Sequence, residues 1–308
     1  NRGIYMYMSP DGIHWRRNET IMLPLVSGGE AETFFDNQHG RYLTFLKADA
    51  SYPGGEGRRA VLFQTDEINK PWPFNPLEQP YYEGWPFPAV TSEGPVAFPK
   101  TEYGQVYRTR ALKYPWAPDT YLAFVWRFNQ QENRKIELAV SRDGVNWNFY
   151  ADKGWYVAPF GTYEETLSLY GMIRRGDEIW QYEEYGTGSH GDGERVYARL
   201  TQRLDGFVSL DADNSPGTIL THPVVFQGNK LKLNVAAENG YIRVALFNKQ
   251  GKPISGYTFE DCDPVQTDEI AHVVTWQGKP DLSRLAGKVV QLKIKLKQAK
   301  LYAIQFSD

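Results

Sequence analysis

Four glutamates stand where a carboxyl group could do general acid or base work. Glu32 follows Gly28-Gly29 at the head of Ala31-Glu32-Thr33-Phe34-Phe35-Asp36, and Glu164 sits in Gly161-Thr162-Tyr163-Glu164-Glu165 ahead of another strand-like run. Glu183 and Glu184 are adjacent in Gln181-Tyr182-Glu183-Glu184-Tyr185. Side chains alternate across a strand, so only one of that pair faces a given side, and Glu183 shares its side with Gln181 and Tyr185. A protonated and an ionised carboxyl flanking one bond supply acid and base together. Arg108 and Arg110 fall on one face of the run from Gln105 to Ala111. A pair of guanidinium groups suits a carboxylate or sulfate. His190, in the glycine-rich stretch 186–193, offers a hydrogen-bonding ring, and Tyr185, Trp85 and Trp155 offer aromatic surfaces. The plain alternatives are strand-end acids in solvent, arginines paired with nearby acids, a solvated loop histidine and packed rings. Asp36, Asp143 and Asp205 read as turn residues.

The elements that must position these groups are strands. One phrase occurs twice, Ser9-Pro10-Asp11-Gly12-Ile13-His14-Trp15 and Ser141-Arg142-Asp143-Gly144-Val145-Asn146-Trp147. Looser echoes are Gln64-Thr65-Asp66 and Arg203-Leu204-Asp205-Gly206-Phe207. Asp-Gly makes a tight turn, because glycine adopts positive φ and the aspartate side chain binds nearby backbone N–H groups. The aspartates at 11, 66, 143 and 205 lie 55, 77 and 62 residues apart. That spacing in a strand-rich chain points to a radial repeat, most simply a β-propeller with one such turn per blade. Residues 1–20 read as the end of a blade whose inner strands are absent. Further blades follow over 27–75, 106–150 and 167–202. The segment 71–100 is rich in proline and aromatics and reads as a long loop, since proline is barred from central strands. After Asp213-Asn214-Ser215-Pro216-Gly217 the texture changes to clean alternation, as in Val290 to Lys297, and a β-sandwich is expected. The Lys293, Lys295, Lys297 stripe reads as a solvated face guarding an edge strand, with binding of an acidic glycan as the alternative. No stretch has helical periodicity. The expected fold is therefore all-β, with blades over 1–213 and a sandwich over 214–308.

Composition excludes several classes. A net charge of −3 argues against a nucleic-acid binder, which concentrates lysine and arginine. No run of about 18 apolar residues is present to span a membrane. Cys262 is the one cysteine, so there is neither an intrachain disulfide nor a cysteine-based zinc site. Aromatics make up 15% of the chain, a proportion that serves strand packing and sugar stacking alike. The start at Asn1, almost directly in a strand, leads us to expect that part of the N-terminus is missing.

The chain resembles the five-bladed β-propeller glycoside hydrolases of the family 32/43-like superfamily. It is more closely similar to a bacterial group in which a propeller precedes a β-sandwich. The resemblance is carried by Phe35-Asp36 with Gly40-Arg41-Tyr42, by Arg58-Arg59, by Tyr114-Pro115-Trp116-Ala117-Pro118 with Tyr121-Leu122, and by the Ser141–Trp147 phrase. It continues through Leu204–Leu210, Gly217–Thr221, Gly251–Ile254, Asp261-Cys262-Asp263-Pro264 and Leu301-Tyr302-Ala303. It implies hydrolysis of a glycosidic bond in a plant or algal polysaccharide by a carboxylate pair in the propeller funnel, drawn from Glu32, Glu164 and Glu183 or Glu184. Members show Gly-Ser-Trp-Asp where Glu164 falls, so the acid here is one methylene longer. On this reading Arg108 and Arg110 would hold an acidic sugar group, His190 a hydroxyl, and Tyr185, Trp85 and Trp155 would line the site. The resemblance also implies an extracytoplasmic, secreted or periplasmic location and extra chain before Ile4. It calls for no cofactor. A structural cation on the propeller axis is compatible with it, but no residue pattern indicates one. A carbohydrate-binding propeller without catalysis and a plain interaction scaffold are the competing expectations.

Overall fold

The structure is a computed structural model that describes residues 3–23, 31–48, 58–73, 96–98, 101–129, 132–158, 161, 165–187 and 193–308. Among these residues the regular structure is all strand, apart from two short 3-10 turns at Ala151–Lys153 and Ser283–Leu285. The chain divides into two compact units: 1–170 with 182–198, and 171–181 with 199–308.

The first unit opens with an antiparallel hairpin, β1 (Ile4–Met8) and β2 (Arg16–Leu23). A four-stranded sheet follows in simple sequence order: β3 (Ala31–Asp36), β4 (Arg41–Ala48), β5 (Arg59–Thr65) and β6 (Val96–Phe98). Strand β6 lies inside the segment expected to be loop. It occupies the edge of the sheet, where a short strand needs pairing on one side only. The next sheet is a second meander of β7 (Gln105–Lys113), β8 (Tyr121–Asn129), β9 (Glu132–Ser141) and β10 (Trp147–Phe149). Then come β11 (Glu165–Arg175), β12 (Glu178–Gly186) and β13 (Arg195–Arg203), a three-stranded sheet whose residues are divided between the two units.

The two meanders share one core. Ala111, Ala123 and Ala139 are in register across β7, β8 and β9, and all are buried. They share a cluster with Phe45, Phe98 and Leu43 of the neighbouring sheet, with Phe34 and Trp147 packed against it. Small side chains in a row leave the room that the large rings fill, as close packing requires.

Both full copies of the repeated phrase share the same serine and aspartate side-chain bonds to the backbone. The first joins β1 to β2: Gly12 N–H donates to Ser9 Oγ at 2.8 Å, and the N–H groups of Ile13 and His14 donate to Asp11 Oδ1 at 2.9 and 2.8 Å. The second joins β9 to β10, with matching bonds of 2.9, 2.8 and 2.7 Å around Ser141 and Asp143. These donors hold Asp11 below the ordinary carboxylate range, His14 contributing most. At Asp143 burial acts to raise the pKa, but Asn146, Val145 and Ser141 outweigh it and bring it to about 2. The copies differ in what they rest on. Ile13 and Trp15 are 76% and 59% exposed, whereas Val145 and Trp147 pack on the core between the two meanders.

The second unit carries β14 (Leu210–Ala212), β15 (Gly217–Leu220), β16 (Val224–Val225), β17 (Lys230–Ala236), β18 (Tyr241–Asn248), β19 (Asp268–Val273), β20 (Val289–Lys297) and β21 (Ala299–Ser307). They form two sheets, β14-β21-β17-β19 and one in which β20 pairs with β15, β16 and β18. Leu231, Leu233, Val235, Val244, Leu246, Leu292, Ile294 and Trp276 belong to the single core between them. Burial pushes the Cys262 thiol up to about 11, so it stays neutral and packs as a small apolar group. The lysine stripe corrects one expectation. Lys293, Lys295 and Lys297 lie on β20, which is paired on both sides and is therefore an interior strand. The stripe is the outward face of an alternating strand and guards no edge.

The two turn glycines give a graded test. Gly12 has φ +76° with nothing near a Cβ, so Gly12→Ala should cost only the left-handed strain of about 1–2 kcal/mol. Gly144 has φ +72°, and a Cβ there would lie 2.6 Å from Leu43 Cδ1 and 3.2 Å from the Tyr121 ring. Gly144→Ala should therefore cost about 1–3 kcal/mol more. Urea unfolding of the two variants side by side measures the difference.

Candidate functional site

Strand β3 presents Glu32, Phe34 and Asp36 to the next sheet, by the two-residue period of a strand. Each meets a partner there. Glu32 forms an ion pair with Arg110 of β7. Phe34 lies beside Tyr121 of β8, with ring centroids 6.2 Å apart. Asp36 accepts from the Tyr121 hydroxyl at 2.7 Å and from Lys113 Nζ at 3.1 Å. The sequence expectation of a plain turn residue at Asp36 is thus too narrow. It does receive the N–H of Gly40 on its carbonyl, but its carboxylate is fully buried.

The Asp36 carboxylate is the hub of a dense network. His39 Nδ1 lies 2.7 Å from Oδ2, Arg41 Nε donates at 3.4 Å, and the Gln38 N–H donates to Oδ1 at 3.2 Å. Arg41 also reaches the Asp143 carbonyl at 2.9 Å and Gln64 at 2.6 Å. Burial acts to raise Asp36, but the bonds from Tyr121, His39 and Lys113 outweigh it and hold the carboxyl well below the ordinary range. Burial, with the adjacent Asp36 charge, raises Tyr121, so its hydroxyl stays protonated and donates. Asp36 is ionised and saturated with donors, which makes it a clamp between sheets and leaves no proton for chemistry.

The opposite end of β3 has a different character. Glu32 and Arg110 keep 22% and 31% of their side-chain surface exposed. Arg108 shares the β7 face with Arg110, as alternation predicts, and stacks on Trp126 at 5.0 Å from the ring centroid. Deeper in the same sheet Arg127 and Glu137 form an ion pair with both side chains 1% exposed. Arg127 Nε donates at 2.7 Å, and Glu137 also accepts from the Ala151 N–H at 3.1 Å. Burial lowers the Arg127 pKa, and Glu137 works against that shift.

On β12, Gln181, Glu183 and Tyr185 are all buried while Tyr182 is 39% exposed. Alternation has selected Glu183 for the enclosed face and left Glu184 half-buried on the other. Burial, together with the Glu183 charge, pushes the Tyr185 hydroxyl up to about 12. Trp155 is half-buried, edge-on to Tyr103 at 5.8 Å, with Lys135 over its ring at 5.1 Å. Glu164, His190 and Trp85 lie outside the described residues. The structure thus joins Glu32 to Arg110 and places Arg108 beside them. It puts Glu183 and Tyr185 on a separate sheet.

Sequence reasoning passed over Asp36, the Arg127–Glu137 pair and Arg134. One signal was present: a charge set within an apolar strand, as in Val125-Trp126-Arg127-Phe128 and Ile136-Glu137-Leu138, is costly unless paired. Among the described residues no group of three or more histidine, cysteine, aspartate or glutamate side chains is arranged to hold a metal, and no helix is long and apolar enough to cross a membrane.

The depressed Asp36 pKa sets an acid response. Its contribution is complete above the ordinary carboxylate value of about 3.9 and is lost as pH falls through the lower folded value. Asp36→Asn should lower stability at neutral pH by about 3 kcal/mol, because cations stay behind without their carboxylate. It should also flatten the loss of stability below about pH 4. Thermal unfolding of both proteins across pH checks each expectation.

No family model and no curated protein matches the chain. Among solved structures it is similar to that of a glycoside hydrolase, at 14% identity and TM-score 0.41. That match covers 62% of this chain and 53% of the other, so the chain spans about half of that protein's length. It is also similar to a glycoside hydrolase family 43 arabinoxylan arabinofuranohydrolase from Bacillus subtilis in complex with cellotetraose, at 11% identity, TM-score 0.37, and coverage of 99% and 74%. A Bombyx mori β-fructofuranosidase of family 32 matches at 10% identity, TM-score 0.40, and coverage of 98% and 72%. At this level of likeness no residue role passes to this chain; its structural neighbours include glycoside hydrolases of families 43 and 32.

Proposed function

We propose that this is a glycoside hydrolase-like protein that cleaves a glycosidic bond in a plant or algal poly- or oligosaccharide. The observation that carries the reading is the half-open Glu32–Arg110 pair, which joins the first strands of two successive sheets. A guanidinium orients the carboxylate that it holds, as the base or nucleophile of a carboxylate pair requires. The proton donor is drawn from Glu164 and the Glu183/Glu184 pair. Arg108, Arg110, Tyr185, His190, Trp85 and Trp155 are the proposed substrate-binding residues.

The successive meanders β3–β6 and β7–β10, the sheet β11–β13 and the hairpin β1–β2 support blades of a five-bladed type of propeller over 1–213. The shared core of the two later sheets supports a β-sandwich over 214–308. An extracytoplasmic location goes with a polysaccharide substrate. A second reading, a carbohydrate-binding propeller without catalysis, is favoured by one observation: Glu183 is fully enclosed, which bars it from substrate in this conformation.

Glycan-panel binding combined with product release separates the two. Glu32→Gln should retain binding and lower turnover by about 100-fold or more. Undiminished turnover in that variant would remove Glu32 from the mechanism. Binding without turnover in the natural full-length protein would establish the second reading.

A further inference from the structure

One sheet face of the second unit carries cations and no acid. Val289, Gln291, Lys293, Lys295 and Lys297 stand on the outward side of β20, opposite the core residues Val290, Leu292, Ile294 and Leu296. The register extends this face to both neighbours. Lys293 pairs with Leu220 of β15 and Ala245 of β18, Lys295 with Thr218 and Arg243, and Lys297 with Tyr241. Neither aspartate nor glutamate occurs in β15, β16, β18 or β20. The other sheet of the unit differs, since Asp211 and Asp268 there each hold a cation at 2.7 Å, Lys300 and Arg203.

The three lysines are half-buried. A lysine in that state packs its stem on neighbouring side chains and leaves its ammonium in water. Lys293 Nζ lies 5.9 Å from the Phe247 ring centroid, and among the described residues none of the three ammonium groups forms a hydrogen bond or an ion pair. Arg243 adds a separate observation. It stands directly opposite Lys295, and like charges in that relation oppose strand pairing. Its guanidinium is held there, because Nη1 donates to the carbonyls of Phe259 at 2.8 Å and Cys262 at 3.0 Å. An anion laid over the face relieves the repulsion.

The spacing says what kind of anion fits. Residues two apart on a strand are about 7 Å apart, so the row from Lys293 to Lys297 spans about 13 Å. Each ammonium is a point charge without the planar fork that grips one carboxylate in two places. An even row of point charges matches an extended polymer with one charge per repeat. Tyr241 and Phe247 of β18 and the exposed Leu220 of β15 share the face and offer apolar surface to sugar rings.

We propose that the outward face of β15, β18 and β20 is a docking surface for an extended polyuronate, an acidic polysaccharide with a carboxylate on each sugar, bound along Lys293, Lys295 and Lys297. The choice of a polysaccharide rests on the proposed function, and the sign of its charge rests on this face alone. The surface uses none of the residues proposed for cleavage or for substrate binding.

The test is calorimetric titration of the full chain with polygalacturonate and with its full methyl ester, which keeps the sugars and removes the charge. The acidic polymer should bind about tenfold or more tightly at low salt, because three modest ion pairs act together, and the preference should shrink as salt rises. Lys293→Gln, Lys295→Gln and Lys297→Gln combined should bring polygalacturonate down to the level of the ester. Lys230→Gln, Lys232→Gln and Lys279→Gln combined remove the same charge elsewhere in the unit and should leave the preference unchanged. Lys295→Glu, which puts an acid opposite Arg243, should weaken polygalacturonate binding several-fold and keeps the test informative if the triple variant fails to fold. Equal binding of polymer and ester overturns the proposal, as does full preference in the folded triple variant or in Lys295→Glu. Tighter binding of a sulfated galactan, or of phosphatidylserine vesicles, than of polygalacturonate also overturns it. The titration needs no turnover. Stripe-dependent binding without product release therefore sinks the glycosidase reading alone, and product release without acid preference sinks the docking surface alone.

Discussion

The first unit depends on a buried carboxylate. Asp36 closes strand β3 and receives donors from Tyr121, Lys113, His39 and Arg41, which binds one meander to the next. A lone charge in that place would be prohibitive. The network replaces the lost water with hydrogen bonds from cations and a hydroxyl, and the residual cost is small only while every partner is present. Arg41 extends the clamp to the carbonyl of Asp143, so the repeated turn is part of the same joint. The Leu43 and Tyr121 side chains that crowd Gly144 complete it.

That joint fixes the far end of the same strand. Asp36 and Glu32 are four residues apart on one face of β3, and both reach across to β7, to Lys113 and Arg110. One end is saturated and buried, and the other holds a partly exposed carboxylate against a guanidinium. The electrostatic contrast comes from exposure more than from residue type, since each end is an acid facing a base. The buried Arg127–Glu137 pair plays a supporting part, holding β8 to β9 and to the chain at Ala151.

The repeated phrase shows how one local structure serves two environments. Ser9–Trp15 and Ser141–Trp147 make the same side-chain-to-backbone bonds, because Ser, Asp and Gly at fixed offsets determine a turn without help from the rest of the chain. Only the second rests on a neighbouring sheet. Its tryptophan is 5.1 Å from Phe98 and 6.0 Å from Phe45, while Trp15 donates to the carbonyl of Gly12 within its own turn.

The sequence by itself determined the all-β class, most strand positions and the repeated turns, because these follow from local alternation and from dipeptides with one favoured geometry. It also put Arg108 with Arg110, and Glu183 with Gln181 and Tyr185, since a period of two needs no knowledge of neighbours. Tertiary structure alone decided which charges were enclosed. Asp36 read as a turn residue because its partners Lys113 and Tyr121 are 77 and 85 residues away. The lysine stripe read as an edge because pairing on both sides of β20 joins segments from 217 to 297, and neither sheet contact nor register is written in any one window of the chain.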